Sequence, residues 1–576
     1  MSDVPSQALR KAMADGGAAV AAWSEVLDRI NVFPVPDGDT GRNLVLSFSP
    51  LRDSSVSDDV LVEKLLLSAR GNSGNIGCAF VRTLLDGAAG ATLAERCGVG
   101  AERARRAVSN PQPGTMLTVL DALAETARGG LTATSVPALL LRLATVVQAT
   151  KDVQESLRHA QVVDSGALGM LVFLDGTLRS FFGLAADAAD DGLATSFQSL
   201  ARFDRKTAAH AERGFCVDAV LRLPAGTDVP DRRLASIGTE VVALREGDLW
   251  KVHLHAANAE SARTALSQMG EVLAWSWDNL EEQSAESPSV AAEGEVHVVT
   301  DGAASVSRRQ AEALGVTLLD SHVDLGDRSL PETRLDPDDV YRAMRRGVRV
   351  STAQASTHER QLCYQRLSAQ WKHVLYLCVG SVYTGNCAVA RAWCSEHARD
   401  GHMTVLDSGA ASGRLAAVVR AAALKAKSGL DVGALASFAE SALGRAEEYI
   451  FLERLEYLAR GGRLSKTGAW FGDALGLAPV VSPFADGARK VALLRKPEAR
   501  LDFACERVKK SFAGFLPGYV LIEHTDNRRW VEREVLPRLK EVAPKATIEI
   551  GPLSLTTGVH TGPGTWAVAF LPDATI

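Results

Sequence analysis

The segment NVFPVPDGDTGRN, residues 31–43, holds side chains well suited to chemistry. Asp37 and Asp39 flank Gly38, which lets the chain turn sharply and bring two carboxylates to one point. Mg²⁺ takes oxygen ligands in an octahedron and usually keeps waters and substrate phosphates among them. Asn31 would add a further oxygen, while Thr40 and Asn43 offer hydrogen bonds to phosphate. DGD and DTG are also ordinary turn chemistry. Three other segments bear on that choice. ARGNSGNIG (69–77) is a Gly-rich turn opening a helix, with Asn72, Ser73 and Gly74 where backbone N–H groups meet phosphate. PQPGTMLTVLDA (111–122) places Thr115 and Met116 at another helix start, and VVDSGALGM (162–170) adds Asp164 and Gly166. Each is ambiguous alone, because glycine at helix ends is common packing chemistry.

A second candidate is KVHLH. His253 and His255 are two residues apart, so on a strand both rings project to one face. Cys216, on the preceding expected strand, is placed to lie opposite them. One thiolate and two imidazoles make a three-ligand zinc site with an open fourth position. The competing reading is a solvated His face and a core cysteine.

The elements that must position these residues fall into three regimes. Residues 1–200 read as helices with apolar spacings of three and four, as in DDVLVEKLLLSAR and TMLTVLDALAETAR. Their many Ala and Gly residues allow close helix approach. Residues 205–282 read as a compact α+β unit, with strands at 215–223 and 249–256 and a helix over 261–270 ended by Gly270. A polar linker, EEQSAESPSVAAEGE, follows. From 294 to 576, short apolar strands end in polar turns: VHVVTDG, VLYLCVGS, MTVLDSG and YVLIEHTD. Alternation with helices predicts an α/β unit with a mostly parallel sheet, its ligand beyond the strand carboxyl ends.

Composition narrows the class. With 576 residues the chain is long enough for about three to five domains. Apolar residues at 46% and charged residues at 23% exclude wholesale disorder. A net charge of −6 without a long basic run argues against a dedicated nucleic-acid binder. The eight cysteines form no CxxC pair and read as reduced thiols in a cytoplasmic protein. The first residues lack a signal-peptide layout, and no apolar run is long enough to span a bilayer.

Taken together, the four N-terminal motifs resemble the ATP-binding domain of the dihydroxyacetone kinase family, as found at the head of bacterial fatty acid kinases. The resemblance implies an all-α helical barrel with Mg-ATP at its mouth. Asp37 and Asp39 would be metal ligands with Asn31 beside them. Ser73, Gly74 and Thr115 would contact nucleotide, and the same ATP-binding reading takes in Thr40, Asn43, Asn72, Met116, Asp164 and Gly166. Arg42 departs from the usual small residue. The next segment is similar to the middle domain of fatty acid kinases, which strengthens zinc on Cys216, His253 and His255; Asp218 stands where that family has Glu.

Residues 295–576 resemble the DegV family of fatty-acid-binding proteins through VTDGAAS, STAQAS, VGSVYTGN, LEYLARGGRLS, EHTD and HTGPG. A buried carboxylate needs hydroxyl and N–H donors. By resemblance these are Thr352, Thr384 and Gly385, with Arg463 and His560 supplying positive character where phosphate arrives and His524 a weaker candidate. Gly302, Ala353, Ala355 and Ala478 depart from the family pattern.

The expected whole is a fused fatty acid kinase that uses ATP and magnesium, with zinc, to turn a fatty acid into acyl phosphate. Its carrier would be built in. The 16 residues from Leu280 to Glu295 would span roughly 20–24 Å as a flexible coil. That short reach points to transfer between the chains of a homodimer. Lipid exchange implies peripheral membrane contact, and acyl phosphate implies an acceptor enzyme. The alternatives are a kinase for a small hydroxyketone and a non-catalytic, nucleotide-responsive lipid-binding protein.

Overall fold

The computed structural model describes residues 6–86, 90–184, 192–203, 213–224, 231–281, 295–397, 402–454, 456–460, 478–513 and 516–572. The chain divides into two compact units, Met1–Ser289 and Val290–Ile576. The helical and middle segments lie together in the first. The linker expected at 281–295 falls almost wholly outside the described residues.

Up to residue 181 the α-helices of the first unit are α1 (Ser6–Arg29), α2 (Thr40–Phe48), α3 (Asp58–Ser68), α4 (Gly71–Leu85), α5 (Leu93–Ala107), α6 (Met116–Ala127), α7 (Val136–Ala149), α8 (Glu155–Ala160) and α9 (Ser165–Phe181). Local chemistry sets several starts. Thr92 and Glu95 form a reciprocal cap on α5, and Asp164 Oδ1 accepts from Ala167 N at 2.7 Å to cap α9. The small residues do bring helices together. A Cβ on Gly16 of α1 would stand 2.2 Å from Thr177 Oγ1 on α9, and one on Gly41 would stand 2.1 Å from Ser24 O, pressing α2 onto α1.

The middle segment is an antiparallel sheet ordered β2-β3-β1-β4, from β1 (Phe215–Arg222), β2 (Thr239–Glu246), β3 (Leu249–Ala256) and β4 (Glu271–Asn279). Its helix α10 covers Ala259–Ser267, starting and stopping a little earlier than the sequence pattern, because Asn258 caps it through Ser261 N. Alternate residues on the strands divide the faces. Val217, Ala219, Leu221, Val252 and Leu254 form an apolar core with α10. The other face carries Cys216, Asp218, Lys251, His253 and His255, and all five are buried. Helix α4 lies on that face. Arg82 of α4, itself buried, pairs with Glu246 of β2, and Arg70 reaches Ser276 of β4.

Among the described residues the second unit holds not one sheet but three. A parallel sheet runs β11-β10-β5-β6, with β5 (Val296–Asp301), β6 (Val316–Leu319), β10 (His373–Cys378) and β11 (Met403–Asp407). A mixed sheet runs β14-β13-β12-β17-β15-β16, with β12 (Glu447–Phe451), β13 (Ala478–Phe484), β14 (Gly487–Leu494), β15 (Gly518–His524), β16 (Ala546–Pro552) and β17 (Trp566–Pro572). A small antiparallel sheet joins β7 (His322–Leu325), β8 (Arg328–Pro331) and β9 (Val350–Ala353). YVLIEHTD was expected in a mostly parallel sheet. It forms β15, whose partner β17 is antiparallel and lies more than 40 residues on. A short apolar strand with a polar end looks the same in either sheet, and only that distant pairing separates them.

Candidate functional site

The acidic loop is held as a set of side chains. Gly38 takes φ +70, so the chain reverses between the two aspartates. Asn31 Nδ2 donates to Asp37 Oδ1 at 2.5 Å, while Ser165 Oγ stands 3.3 Å from Asn31 Oδ1 and 2.9 Å from Thr40 Oγ1. Asn31 therefore orients Asp37 through its amide hydrogens. Asp39 opens α2 and is half-buried. Burial pushes its carboxyl up; the Arg42 guanidinium opposes that, Asp28 adds to it, and hydrogen bonds from Asn43 and Asp37 lower it. Two carboxylates and an amide oxygen set side by side make an oxygen-rich cluster whose charge a cation would balance, so the loop fits magnesium. Arg42 also faces Asp278 at 4.0 Å, which gives this departure from the family pattern a charge-balancing place.

The helix starts converge beside the loop. Gly71 takes φ +59, and a Cβ there would stand 2.2 Å from Asn43 Nδ2. A Cβ on Gly166 would stand 3.3 Å from both Asp164 Oδ1 and Ser73 Oγ and 3.6 Å from Met116 Cε. Asn72 Oδ1 is buried without a hydrogen-bond partner. Three of these residues also have partners within the fold. Gly74 N is bonded to Arg70 O at 3.1 Å, and a Cβ on Gly74 would stand 2.1 Å from Ser47 Oγ, so this glycine admits a close helix contact. Asp164 caps α9, and burial raises its carboxyl to about 7. Thr115 donates to Gln112 O at 2.9 Å and caps α6.

Cys216, His253 and His255 form a cluster whose possible ligand atoms all lie within 4.8 Å of one another. The register makes it: Cys216 pairs with His255 and Asp218 with His253. Cys216 Sγ is 4.0 Å from His253 Nδ1, and His253 Nε2 is buried with no hydrogen-bond partner. Burial, then the neighbouring His253, depresses His255 to about 3, leaving a neutral imidazole. Burial pushes the Cys216 thiol up, and Asp218, Asp39, Asp37 and Asp278 add to it. The His face is thus buried and not solvated. A soft thiol and two imidazoles with an orphaned nitrogen fit zinc. Val35 of the acidic loop packs against Cys216 and Leu280, so loop and cluster adjoin.

One neighbour of the cluster escaped the sequence reading. Lys251, 1% exposed, bonds Asp218 Oδ1 at 3.0 Å. Burial favours the neutral carboxyl of Asp218, but Lys251 and His253 hold it well below the usual range. The spacing of Lys251, His253 and His255 in KVHLH already placed all three on one face.

In the second unit a cavity of about 940 Å³, counting its open mouth, is lined by Thr352, Thr384 and His560 together with Ala303, Val379, Ile450, Leu458, Val481 and Pro483. Thr352 Oγ1 and His560 Nε2 are 3.0 Å apart, and Gln354 Nε2 donates to Thr384 Oγ1 at 2.8 Å. Ser412 also lines it, donating to Glu448 Oε1 at 2.7 Å. Gln354 and Ser412 were not singled out from sequence. Gly385 lies beside the Gln354 amide and outside the lining; His524, with Nδ1 3.0 Å from Thr525 O, is also outside it. Arg463 lies outside the described residues. The Gly302 departure has a physical counterpart. A Cβ there would stand 2.9 Å from Glu332 Oε1, so this carboxyl takes the room a serine would need. Glu332 accepts from Thr556 N and Oγ1 at 3.0 and 2.7 Å, and burial raises it to about 7.

The chain matches three family models in series. A DAK2 domain model covers residues 34–179, a FakA-like middle domain model of the fatty acid kinase type covers 212–287, and a model of the DegV family of uncharacterised proteins covers 295–573. The order is that of a fatty-acid-kinase-like architecture with a DegV segment after it. Protein YloV of Bacillus subtilis is 29% identical over 301 residues, 46% of this chain and 54% of YloV. An uncharacterised protein of Staphylococcus aureus USA300 is 25% identical over 301 residues, 46% of this chain and 53% of its own length. The chain thus spans about half the length of the curated relatives it matches. Among solved structures, DegV, a fatty acid binding protein from Bacillus subtilis, is 19% identical and covers 49% of this chain and all of its own, with a TM-score of 0.45. A stearic-acid-binding protein from Eubacterium ventriosum is 18% identical, covers 48% of this chain and 99% of its own, and has a TM-score of 0.45. No described helix is long and apolar enough to cross a membrane.

Proposed function

We propose that this chain phosphorylates a fatty acid. A carboxylate oxygen of the acid attacks the γ-phosphorus of ATP, the bond from that phosphorus to the β-γ bridging oxygen breaks, and acyl phosphate and ADP leave. The observation that carries the reading is the adjacency, within one compact unit, of the Asp37–Asp39 loop, the α4 start and the Cys216–His253–His255 cluster. Both reactants are anions, so the problem is charge neutralisation and positioning.

Asp37 and Asp39 would hold magnesium, which neutralises phosphate charge when bound. Cys216, His253 and His255 would hold zinc, which supplies a Lewis acid for an oxygen anion. Asn31 fixes the rotamer of Asp37, Arg42 balances the excess acid, and Ser73 faces the same space as Met116 and Gly166. In this reading the helices form a barrel with nucleotide at its mouth. The acyl group lies in the cavity of the second unit with its carboxylate at Thr352, Thr384 and His560. Arg463 joins the carboxylate end in the same proposal, as do a homodimer, an acyl phosphate acceptor enzyme and peripheral contact with a membrane.

A cavity walled by aliphatic side chains and tipped with hydroxyls suits an acyl chain better than a small hydroxyketone. The test is ADP release from Mg-ATP with fatty acid or dihydroxyacetone, with hydroxylamine added to trap acyl phosphate as the hydroxamate. Fatty-acid-dependent ADP with matching hydroxamate is expected. ADP with dihydroxyacetone alone would overturn the acyl reading, and none with either would overturn the kinase reading.

A further inference from the structure

One buried group on the polar face of the middle sheet has no part in the reaction as written. Asp218 lies two residues beyond Cys216 on β1. Its Oδ1 accepts from Lys251 Nζ at 3.0 Å and Asn75 Nδ2 at 3.2 Å. Its Oδ2 accepts from Gly71 N at 3.1 Å and stands 3.4 Å from His253 Nδ1. A single carboxylate therefore touches the first residue of α4, on the helical side, and a member of the thiol–imidazole cluster, on the sheet side. The contacts continue. Gly71 is wedged on Asn43, where a Cβ would have only 2.2 Å, and the Asn43 side chain bonds Asp39. His253, Asp218, Gly71, Asn43 and Asp39 form one unbroken path from the cluster to the acidic loop.

We propose that Asp218 is a positioning residue that couples a zinc ion on Cys216, His253 and His255 to nucleotide binding at the α4 start. This rests on the reading of the two sites given above. An imidazole carries a carboxylate partner on one nitrogen so that the other is free for a metal, and His253 has the parts of that arrangement, with Nδ1 between Asp218 Oδ2 at 3.4 Å and Cys216 Sγ at 4.0 Å and Nε2 unpartnered. A ring held by a cation holds Asp218 in turn. Asp218 then fixes the Gly71 N–H and the Asn75 amide, so the helix start is ordered before phosphate reaches it. Coupling through such a chain is reciprocal: nucleotide must tighten zinc by the factor by which zinc tightens nucleotide.

The experiment is calorimetric titration of the full chain with a magnesium–ATP analogue that cannot be hydrolysed. It is done on zinc-loaded and chelator-stripped protein, and zinc affinity is measured with and without the analogue. We expect the zinc-loaded chain to bind the analogue at least about fivefold tighter, with the same factor in the converse titration. In Asp218→Asn combined with Lys251→Met, which removes the ion pair as a unit, the ratio should fall to about one while zinc is still bound. Asp218→Glu should restore much of it. A wild-type ratio of one, or a double variant that melts earlier with its ratio intact, would overturn the coupling and leave Asp218 a structural ion-pair partner. A chain that takes up neither zinc nor nucleotide would overturn the site reading beneath it, a result distinct from binding without mutual effect.

Discussion

The polar face of the middle sheet and the wall of the C-terminal cavity hold oxygen and nitrogen by different means, the first buried and the second partly open to water. Burial of such groups is costly unless each is partnered. The sheet face uses charge: Asp218 is met by Lys251, Asn75 and the Gly71 N–H, and the acidic loop by Arg42. The cavity uses hydroxyls, Thr352 beside His560 and Thr384 beside the Gln354 amide. A carboxyl close by, Glu332, is raised to about 7 by burial. A surface built from fixed charges suits cations and phosphate. One built from hydroxyls and aliphatic groups suits a long apolar ligand that brings its own single charge. The difference also sets how much each substitution should cost.

The largest effect should come from the loop. Asp37→Ala with Asp39→Ala should lower phosphoryl transfer at least about a thousandfold, on the scale of losing charge stabilisation in a transition state. Lipid content and the unfolding midpoint should hold, since the acyl cavity is in the other unit. Turnover at the wild-type rate would remove the two carboxylates from the account.

Next is Lys251→Met, which strands the Asp218 charge. Removing one partner of a buried ion pair costs about 3–5 kcal/mol. Urea unfolding of the first unit should show a loss of that order; a loss under about 1 kcal/mol would mean that the sheet face is not charge-paired as described.

Glu332 gives the cavity region a pH signature. Its folded value is about 7 against an ordinary 4.5, so between those values the folded state keeps a proton that the unfolded chain has released. Its contribution is fully present below pH 4.5 and is lost as pH rises to about 7, on the order of 3 kcal/mol. Glu332→Gln should flatten that slope in unfolding titrations. An unchanged slope would show that another group carries it.

The smallest stability effect should be in the hydroxyls. Thr352→Val with Thr384→Val removes neutral hydrogen bonds worth about 1 kcal/mol each at most, yet it should strip co-purifying fatty acid from the chain, as read by mass spectrometry. Full lipid content in that variant would place the carboxylate elsewhere.

These contrasts were unequally legible in the sequence. The helices, the middle strands and the His–X–His face follow local periodicity, and DGD announced its turn. The Cys216 pairing, 37 residues from His253, came out through strand alternation joined to the resemblance to fatty acid kinase middle domains. What stayed hidden depends on distant pairing. β15 bonds to β17 across more than 40 residues, so the mixed sheet could not be told from a parallel one. Asp218 was noted only as a departure; its contacts with Gly71 and Asn75 cross about 145 residues. Gly74 was read for phosphate, and its close approach to Ser47 was not visible in the sequence. Glycine gives the same letter for both uses.

Trapping of acyl phosphate by the full chain with Mg-ATP, fatty acid and hydroxylamine, in the absence of any separate DegV-type carrier, tests the central claim most directly. The account predicts fatty acid hydroxamate in step with ADP. Hydroxamate that forms only when a separate carrier is supplied would contradict it, because the cavity in the second unit would then not be the one that serves the kinase.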